Sequence, residues 1–357
     1  MTRAIDESFR ASYLSFSTEL GIDALGIVPA GRMQTFDIYT ATIRRGVPAQ
    51  LSYLEKNAHR RAEVSFVQSS AKTVICAAVA LPDVCQTPTG RYAQFCFLGD
   101  YHHTLRSRLS QLVEYLKGYF DIGEWRACVD SAPLPERALA VRAGLGDIGR
   151  NHQVIHPTLG SHFVLGELLV DVDLMMYRDL LSHRAQSFSP NGLEPGKVRC
   201  CSPQHSMCVQ HCPTGALQHD RYDFNRCLSY WSTQHRGKIP SFYARAMGDR
   251  IWGCDACQQH CPRARGKLTS IRIASVLSEL TFDDIFSLSG KALTRRLAGS
   301  PLCDASPNLL VRNACIVLAN TQNRAYVPQL CDISNHHSCE WVRETAAESL
   351  IVLGVNA

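Results

Sequence analysis

Eight of the chain's 16 cysteines fall between residues 200 and 261: Cys200, Cys201, Cys208, Cys212, Cys227, Cys254, Cys257 and Cys261. The sharpest spacing lies at the two ends, CVQHCPTGAL at 208–217 and CDACQQHCP at 254–262. A cysteine before proline, with another four residues earlier, is how ferredoxin-type loops wrap an iron–sulfur cluster. Three thiolates of one run hold one cluster, and the cysteine before proline reaches across to the other. Two such runs describe a two-cluster electron relay. A zinc ribbon is the rival, because paired C-x2-C also suits tetrahedral zinc, but zinc sites do not ask for C-x3-C-P. A disulfide framework is weaker still. The start, MTRAIDESFRASYLSF, lacks the apolar core of a secretory signal, and 357 residues can build a core without staples.

A second chemical candidate is Asp130, in the stretch DSAPLPERALAVRAGLGDIGRN at 130–151. It falls where a strand should end, and acidic residues at the carboxyl ends of strands are well placed to act in a cleft. The alternative is that Asp130 caps the next helix. Glu136 and Arg137 read as a surface pair or as residues fixing the turn. Cys96 and Cys76 sit in apolar segments and read as core. His102 and His103 follow Asp100 and either line a cleft or open a helix. No P-loop is present, and the G-x-G-x-x-G run at 144–149 follows an expected helix rather than a strand, so nothing supports nicotinamide chemistry or nucleotide hydrolysis.

The elements that must position these residues alternate through about residue 175. The periodicity predicts a helix over 2–20 capped by Thr2 and stopped by Gly21, and a strand over 24–28. A short helical piece follows at 49–58, around Tyr53 and Leu54. The run TVICAAVAL at 73–81 reads as a strand buried on both faces. Leu105, Leu109, Leu112, Leu116 and Phe120 mark an amphipathic helix. Strands at 125–129 and 163–172 flank a helix over 135–144. After the cluster region the character turns helical. Ser306-Pro307 opens one helix, and 339–353 forms another with Gly354 as its stop. Paired short helices of this kind suggest HEAT-like repeats. The fold class is therefore α+β. An N-terminal α/β catalytic domain is expected over 1–180, a ferredoxin-type domain over 181–270 and a helical HEAT-like tail over 271–357.

Bulk properties set limits. Hydrophobic residues make up 45% and charged residues 19%, ordinary for a globular protein. No stretch approaches a transmembrane helix in length, and reduced cysteines imply a cytoplasmic location. Net charge is only +5, but 11 Lys/Arg face 5 Asp/Glu between Gln234 and Arg296. That bias beside the cluster loops suits a polyanion, or simply a solvated face.

Longer motifs carry a family resemblance. DSAPLPER with AGLG-x-x-G, then GSHFVLGELL at 160–169, CPTGAL at 212–217, CLSY at 227–230 and MGDRIWGCDACQQHCP at 247–262 resemble the tRNA epoxyqueuosine reductases. DYH at 100–102 and LVRNACIVLAN at 310–320 extend the likeness through most of the chain, in order. That family is cobalamin-dependent, and reduces the epoxide of epoxyqueuosine at the tRNA wobble position. The resemblance implies Asp130 as the acid beside the cobalt, and a flavodoxin- or ferredoxin-type donor feeding the clusters. A carboxyl partly desolvated by a corrin ring is expected to be protonated near neutrality. Lys56 stands where the family often carries an arginine near cobalamin, implying a cofactor contact. Arg150, in place of a lysine, keeps a charge for phosphate. A basic strip and helical tail would dock the anticodon stem-loop of tRNA, and the protein is expected to be a monomer.

By the same resemblance, one cluster would use Cys212, Cys227, Cys254 and Cys257. The other departs from the pattern. Counting back from Cys212, its first two ligand positions fall on Ser202 and His205, and only Cys208 matches. The reading adopted is a modified cluster on Cys201, Cys208 and Cys261, completed by His205 or an outside ligand. A missing cluster, with Cys200 and Cys201 as plain thiols, stays open. Asp147 replaces the family's usual tryptophan, which would reshape the pocket. Two other functions remain in view: a divergent corrinoid reductase of another substrate such as an organohalide, and a non-catalytic electron carrier or tRNA-binding protein.

Overall fold

The computed structural model describes residues 4–83, 86–183, 200–201, 206–219, 221–263 and 276–355. The strand Thr73–Ala80 is buried along its whole length, and its side chains divide between two cores. Ile75, Ala77 and Val79 pack with Phe9, Tyr13 and the inner face of the helix Tyr101–Lys117. Val74, Cys76 and Ala78 pack with Leu139, Ala140 and Val141 of the helix Glu136–Arg142. The sheet runs in the order Ala24–Pro29, Thr73–Ala80, Phe163–Val170, Trp125–Cys128. Every pairing in it is antiparallel. A continuous apolar strand is commonest in parallel sheets. Here helices on both faces of an antiparallel sheet produce the same burial, so the architecture is α+β.

Local signals account for most helix ends. The first helix spans Glu7–Glu19 rather than starting near residue 2. Its cap is Asp6, whose carboxylate accepts from the amides of Ser8 at 3.0 Å and Phe9 at 3.1 Å. Thr2, the expected cap, lies outside the described residues. Gly21, at φ +72°, ends the helix as expected. Asp100 opens the helix Tyr101–Lys117 by accepting from the amide of His103 at 3.3 Å.

The two cysteine runs form matching loops. Short helices Met207–Gln210 and Ala256–Gln259 each lead into His-Cys-Pro. His211 and His260 stack with centroids 4.0 Å apart, which brings the two loops face to face. The second loop is tied to the first half of the chain, because Asp255 accepts from the amide of Gln94 at 2.6 Å.

The tail helices Pro307–Asn320, Val327–His336 and Glu340–Val352 enclose a core of Leu310, Ala314, Leu330, Val342 and Leu350. That core also contains Tyr92, Phe97, Ile251 and Trp252. The tail, the segment around 92–97 and the strand Arg250–Trp252 are thus packed as one body. Among the described residues no helix is long and apolar enough to cross a membrane.

Candidate active site and cluster-binding loops

Asp130 directly follows the sheet strand Trp125–Cys128 and the buried Val129, at φ +50°, a left-handed conformation uncommon for a non-glycine residue. It does not cap the following helix, which starts at Glu136 behind Pro135. Its side chain is about half exposed and faces three neighbours. Tyr101 Oη donates to Asp130 Oδ2 at 2.5 Å, and His102 Nε2 lies 3.8 Å from the same oxygen. Glu136 accepts from the Asp130 amide at 3.1 Å, which sets its carboxyl beside that of Asp130. Burial, then the adjacent Asp130, pushes the Glu136 carboxyl up to about 8. His102 therefore reaches the site as well as opening a helix; its ring stacks on Tyr101 at 4.0 Å.

Below this pair lies Glu167, wholly buried in the strand Phe163–Val170 between Cys76 and Cys128 of the neighbouring strands. Neither of its carboxyl oxygens has a hydrogen-bond partner among the described residues. Burial, Glu136 and Asp130 all raise its pKa, so it is held neutral. Cys76 and Cys96 are wholly buried, in keeping with a packing role.

Beside Glu136 opens a cavity of about 570 Å³. Leu134, Pro135, Glu136, Arg137 and Ala138 line one wall, and Ile38, Tyr39, Ile43, Leu54 and Arg61 another. The third wall carries Cys212, Cys227, Cys254 and Cys257. Four thiols expected to share a cluster are thus brought to one cavity from three separate segments. The framework around them is hydrogen-bonded: Thr214 Oγ1 donates to the Arg226 carbonyl at 2.5 Å and Arg226 Nε returns to the Thr214 carbonyl at 2.8 Å. Tyr222 donates to Cys227, and Ser161 donates to Gln258 at 3.0 Å.

The remaining cysteines gather apart. Cys208 is buried, with Cys261, Cys200 and Cys201 as its electrostatic neighbours in decreasing order. Burial and these thiols push Cys208 up to about 11, a cost that iron binding would remove. Cys200 thus stands with this group as well as Cys201, and its sulfur accepts from the Arg150 amide at 3.1 Å. His205 and Ser202 lie outside the described residues.

Two residues expected to contact a cofactor, Arg150 and Lys56, are not among the residues lining this cavity. Arg150 reaches the first-cluster loop, where Nη1 donates to Ser206 Oγ at 2.6 Å, and it does not line the cavity. Lys56 is exposed at the end of a short helix, whereas Leu54 of the same turn does line the cavity. Arg61 takes the inner position instead, donating to the Leu134 carbonyl at 2.7 Å with its guanidinium over the Tyr39 ring. The sequence passes over Arg61; of the two readings of Glu136, a surface pair or a residue fixing the turn, its bond to the Asp130 amide fits the second. No periodicity distinguishes an inward charge in so short an element.

Comparison with known proteins follows from this geometry. A family model described as "4Fe-4S double cluster binding domain" matches residues 200–264. One described as "Epoxyqueuosine reductase QueG, DUF1730" matches residues 61–131. The epoxyqueuosine reductase of Salmonella typhimurium (strain LT2) is 30% identical over 315 residues, 85% of this chain and 77% of the relative. The chain belongs to the epoxyqueuosine reductase family. It is accordingly an oxidoreductase of queuosine biosynthesis that works with iron–sulfur clusters. The epoxyqueuosine reductase of Pseudomonas aeruginosa is 29% identical, over 93% of this chain and 91% of its own. An epoxyqueuosine reductase crystallised with an epoxyqueuosine-modified tRNA-Tyr stem loop shares the fold, with a TM-score of 0.80 at 23% identity. That match covers 97% of this chain and 90% of the crystallised one.

Proposed function

We propose that this epoxyqueuosine reductase acts at the wobble position of tRNA, with cobalamin in the 570 Å³ cavity and Asp130 as the acid at its mouth. The observation that carries the reading is the cavity wall itself. The same cavity is lined by the Glu136 segment, hydrogen-bonded to Asp130, and by Cys212, Cys227, Cys254 and Cys257. Electrons and protons would therefore meet in one cavity. The lining fits a corrin: Ile38, Ile43, Leu54, Phe95 and Ile148 offer apolar faces, while Tyr39, Arg61 and Asn151 offer polar edges. Bound there, cobalamin supplies the electron chemistry at carbon, and the clusters supply single electrons.

The chain's own residues hold and move protons. Opening an epoxide develops an alkoxide, and a carboxyl within reach neutralises it as it forms. Tyr101 donates to the Asp130 carboxylate and Glu136 holds the Asp130 backbone amide, so the acid is oriented before substrate arrives. A solved epoxyqueuosine reductase from Bacillus subtilis is described with an aspartate-bearing catalytic loop swung out of the active site. The left-handed Asp130 backbone is consistent with such a loop here.

Cys212, Cys227, Cys254 and Cys257 are assigned to the cluster at the cavity. Cys201, Cys208 and Cys261 are assigned to the other, with His205 or an outside ligand as the fourth. A flavodoxin- or ferredoxin-type donor would reduce them. The tail helices, taken as HEAT-like repeats, and the basic strip would hold the anticodon stem-loop, whose wobble base must be splayed out to enter the cavity. Part of that strip is already paired, since Lys238 bridges to Glu348 at 2.6 Å and Arg296 to Glu279 at 3.6 Å. Affinity should nevertheless fall with salt.

The test is anaerobic reconstitution with iron, sulfide and cobalamin, then a single turnover on epoxyqueuosine stem-loop by wild type and Asp130→Ala. Turnover lost only in the variant supports the reading. Cobalamin binding with an intact epoxide would instead favour a different substrate for the same cofactor. Failure to bind cobalamin would end the proposal.

A further inference from the structure

We infer that Glu136 is the proton store of the active site, a second acid that holds and hands to Asp130 the protons consumed as the epoxide is removed. This rests on Asp130 being the acid at the cavity mouth. Turning an epoxide into an alkene breaks two C–O bonds, takes in two electrons and two protons, and releases one water. The electrons come from a low-potential one-electron donor through the clusters. A single carboxyl carries one proton, so Asp130 must be recharged within the turnover or be helped by a neighbour.

The geometry points to Glu136. It lines the cavity and accepts from the Asp130 amide at 3.1 Å, which sets its carboxyl beside that of Asp130. Burial and the neighbouring Asp130 carboxyl disfavour its ionised form, so Glu136 carries a proton at neutral pH. The groups facing Glu136 from its surroundings are Asp130, Arg137, Tyr101, Glu167, Cys76 and Cys128. The Asp130 amide and Arg137, on its own helix, favour ionisation, but burial and the Asp130 carboxyl outweigh both, and the Arg137 guanidinium also donates to the His152 carbonyl. Glu167, buried and without a hydrogen-bond partner among the described residues, sits beneath the pair, and burial together with Glu136 and Asp130 keeps it neutral. The store is therefore loaded below pH about 8 and empties above it. Glu136→Gln keeps an oxygen that can accept from the Asp130 amide, yet has no acidic proton to give.

The experiment follows reconstituted, dithionite-reduced full-length enzyme through single turnovers on epoxyqueuosine stem-loop across the neutral and alkaline range. Infrared spectroscopy of the same chains without substrate follows protonated carboxyl groups. Wild type should lose rate as pH rises through about 8, with a carboxyl band that titrates in step. Glu136→Gln should lose that band, react about 10²-fold slower and no longer show the alkaline decline. Glu136→Asp should restore part of the rate and a titrating band. A slower Glu136→Gln enzyme with the wild-type pH profile and band would reduce Glu136 to a structural role and overturn the inference. So would an unchanged rate in Glu136→Gln beside a dead Asp130→Ala, because Asp130 would then recharge directly from solvent. If Asp130→Ala itself turns over normally, it is the assignment of Asp130 that fails.

Discussion

Arg312 in the tail and Glu167 in the sheet are both wholly buried, and their surroundings are opposite. Arg312 spends every donor. Nη1 donates to the carbonyls of His235 at 2.6 Å and Gly237 at 2.8 Å, and Nη2 to that of Trp231 at 2.8 Å. Nε and Nη2 both reach Asn313 Oδ1, at 3.0 and 2.9 Å. Asn313 in turn donates to the carbonyls of Ser232 and Ile251, each at 2.8 Å. Glu167 has no hydrogen-bond partner among the described residues and two carboxyl neighbours on its face of the sheet. A buried ion whose hydrogen bonds are complete acts as a clamp, and a buried carboxyl without them stays neutral. Arg312 clamps the tail onto the helix that starts directly after Cys227, and so helps fix a cluster loop. Glu167 instead stays neutral, its pKa raised by burial and by the Glu136 and Asp130 carboxyls above it.

Breaking the clamp should have the largest effect. Arg312→Met strands at least three carbonyls and should cost about 3–5 kcal/mol in denaturant unfolding. A loss below about 1 kcal/mol would show that the tail is held by its apolar core alone. On the carboxyl side, Gly26 lies under the helix that carries Glu136, and an added Cβ would stand 2.4 Å from the Ala143 carbonyl. Gly26→Ala should therefore cost about 1–3 kcal/mol and slow turnover by moving Glu136. Normal stability together with normal turnover would show that the helix has room to shift.

The pH dependence sharpens the contrast further. Because folding raises the Glu136 pKa from 4.5 to about 8, its contribution to stability is complete below 4.5 and is lost as pH rises through about 8. Wild-type melting temperature should fall across that window, and Glu136→Gln should flatten the fall. An unchanged slope would mean that Glu136 is ionised in the folded chain. Glu167→Gln, replacing a neutral acid with a neutral amide, should change stability near pH 6 by less than about 1 kcal/mol. A comparably small change is expected where neither kind of burial operates. Thr281 and Asp284 form an exposed capping box, with Asp284 N donating to Thr281 Oγ1 at 3.1 Å. Thr281→Ala should cost about 1 kcal/mol at most pH values.

The cluster loops were legible because their ligands lie within a few residues of one another and obey a spacing. The buried strand Thr73–Ala80 and the amphipathic helix Tyr101–Lys117 were legible because burial repeats with their own period. Strand direction was not, since an apolar run says that both faces are covered and nothing about the neighbour's polarity. Arg150 and Lys56 were placed by analogy with charges in similar sequences. The aim of a long side chain depends on which loop passes nearby, and here Ser206 accepts from the Arg150 guanidinium, away from the cavity lining.

What the sequence determined by itself is therefore the local chemistry: paired cysteine loops, a carboxyl at a strand end, and the alternation of strands and helices. Tertiary structure alone decided which charges became unusual. Glu167 meets Asp130 and Glu136 only when distant strands pair, and Arg312 finds its carbonyls 75 to 81 residues away. The free energy of a charge depends on the dielectric and the partners around it, and both are supplied by segments remote in the chain.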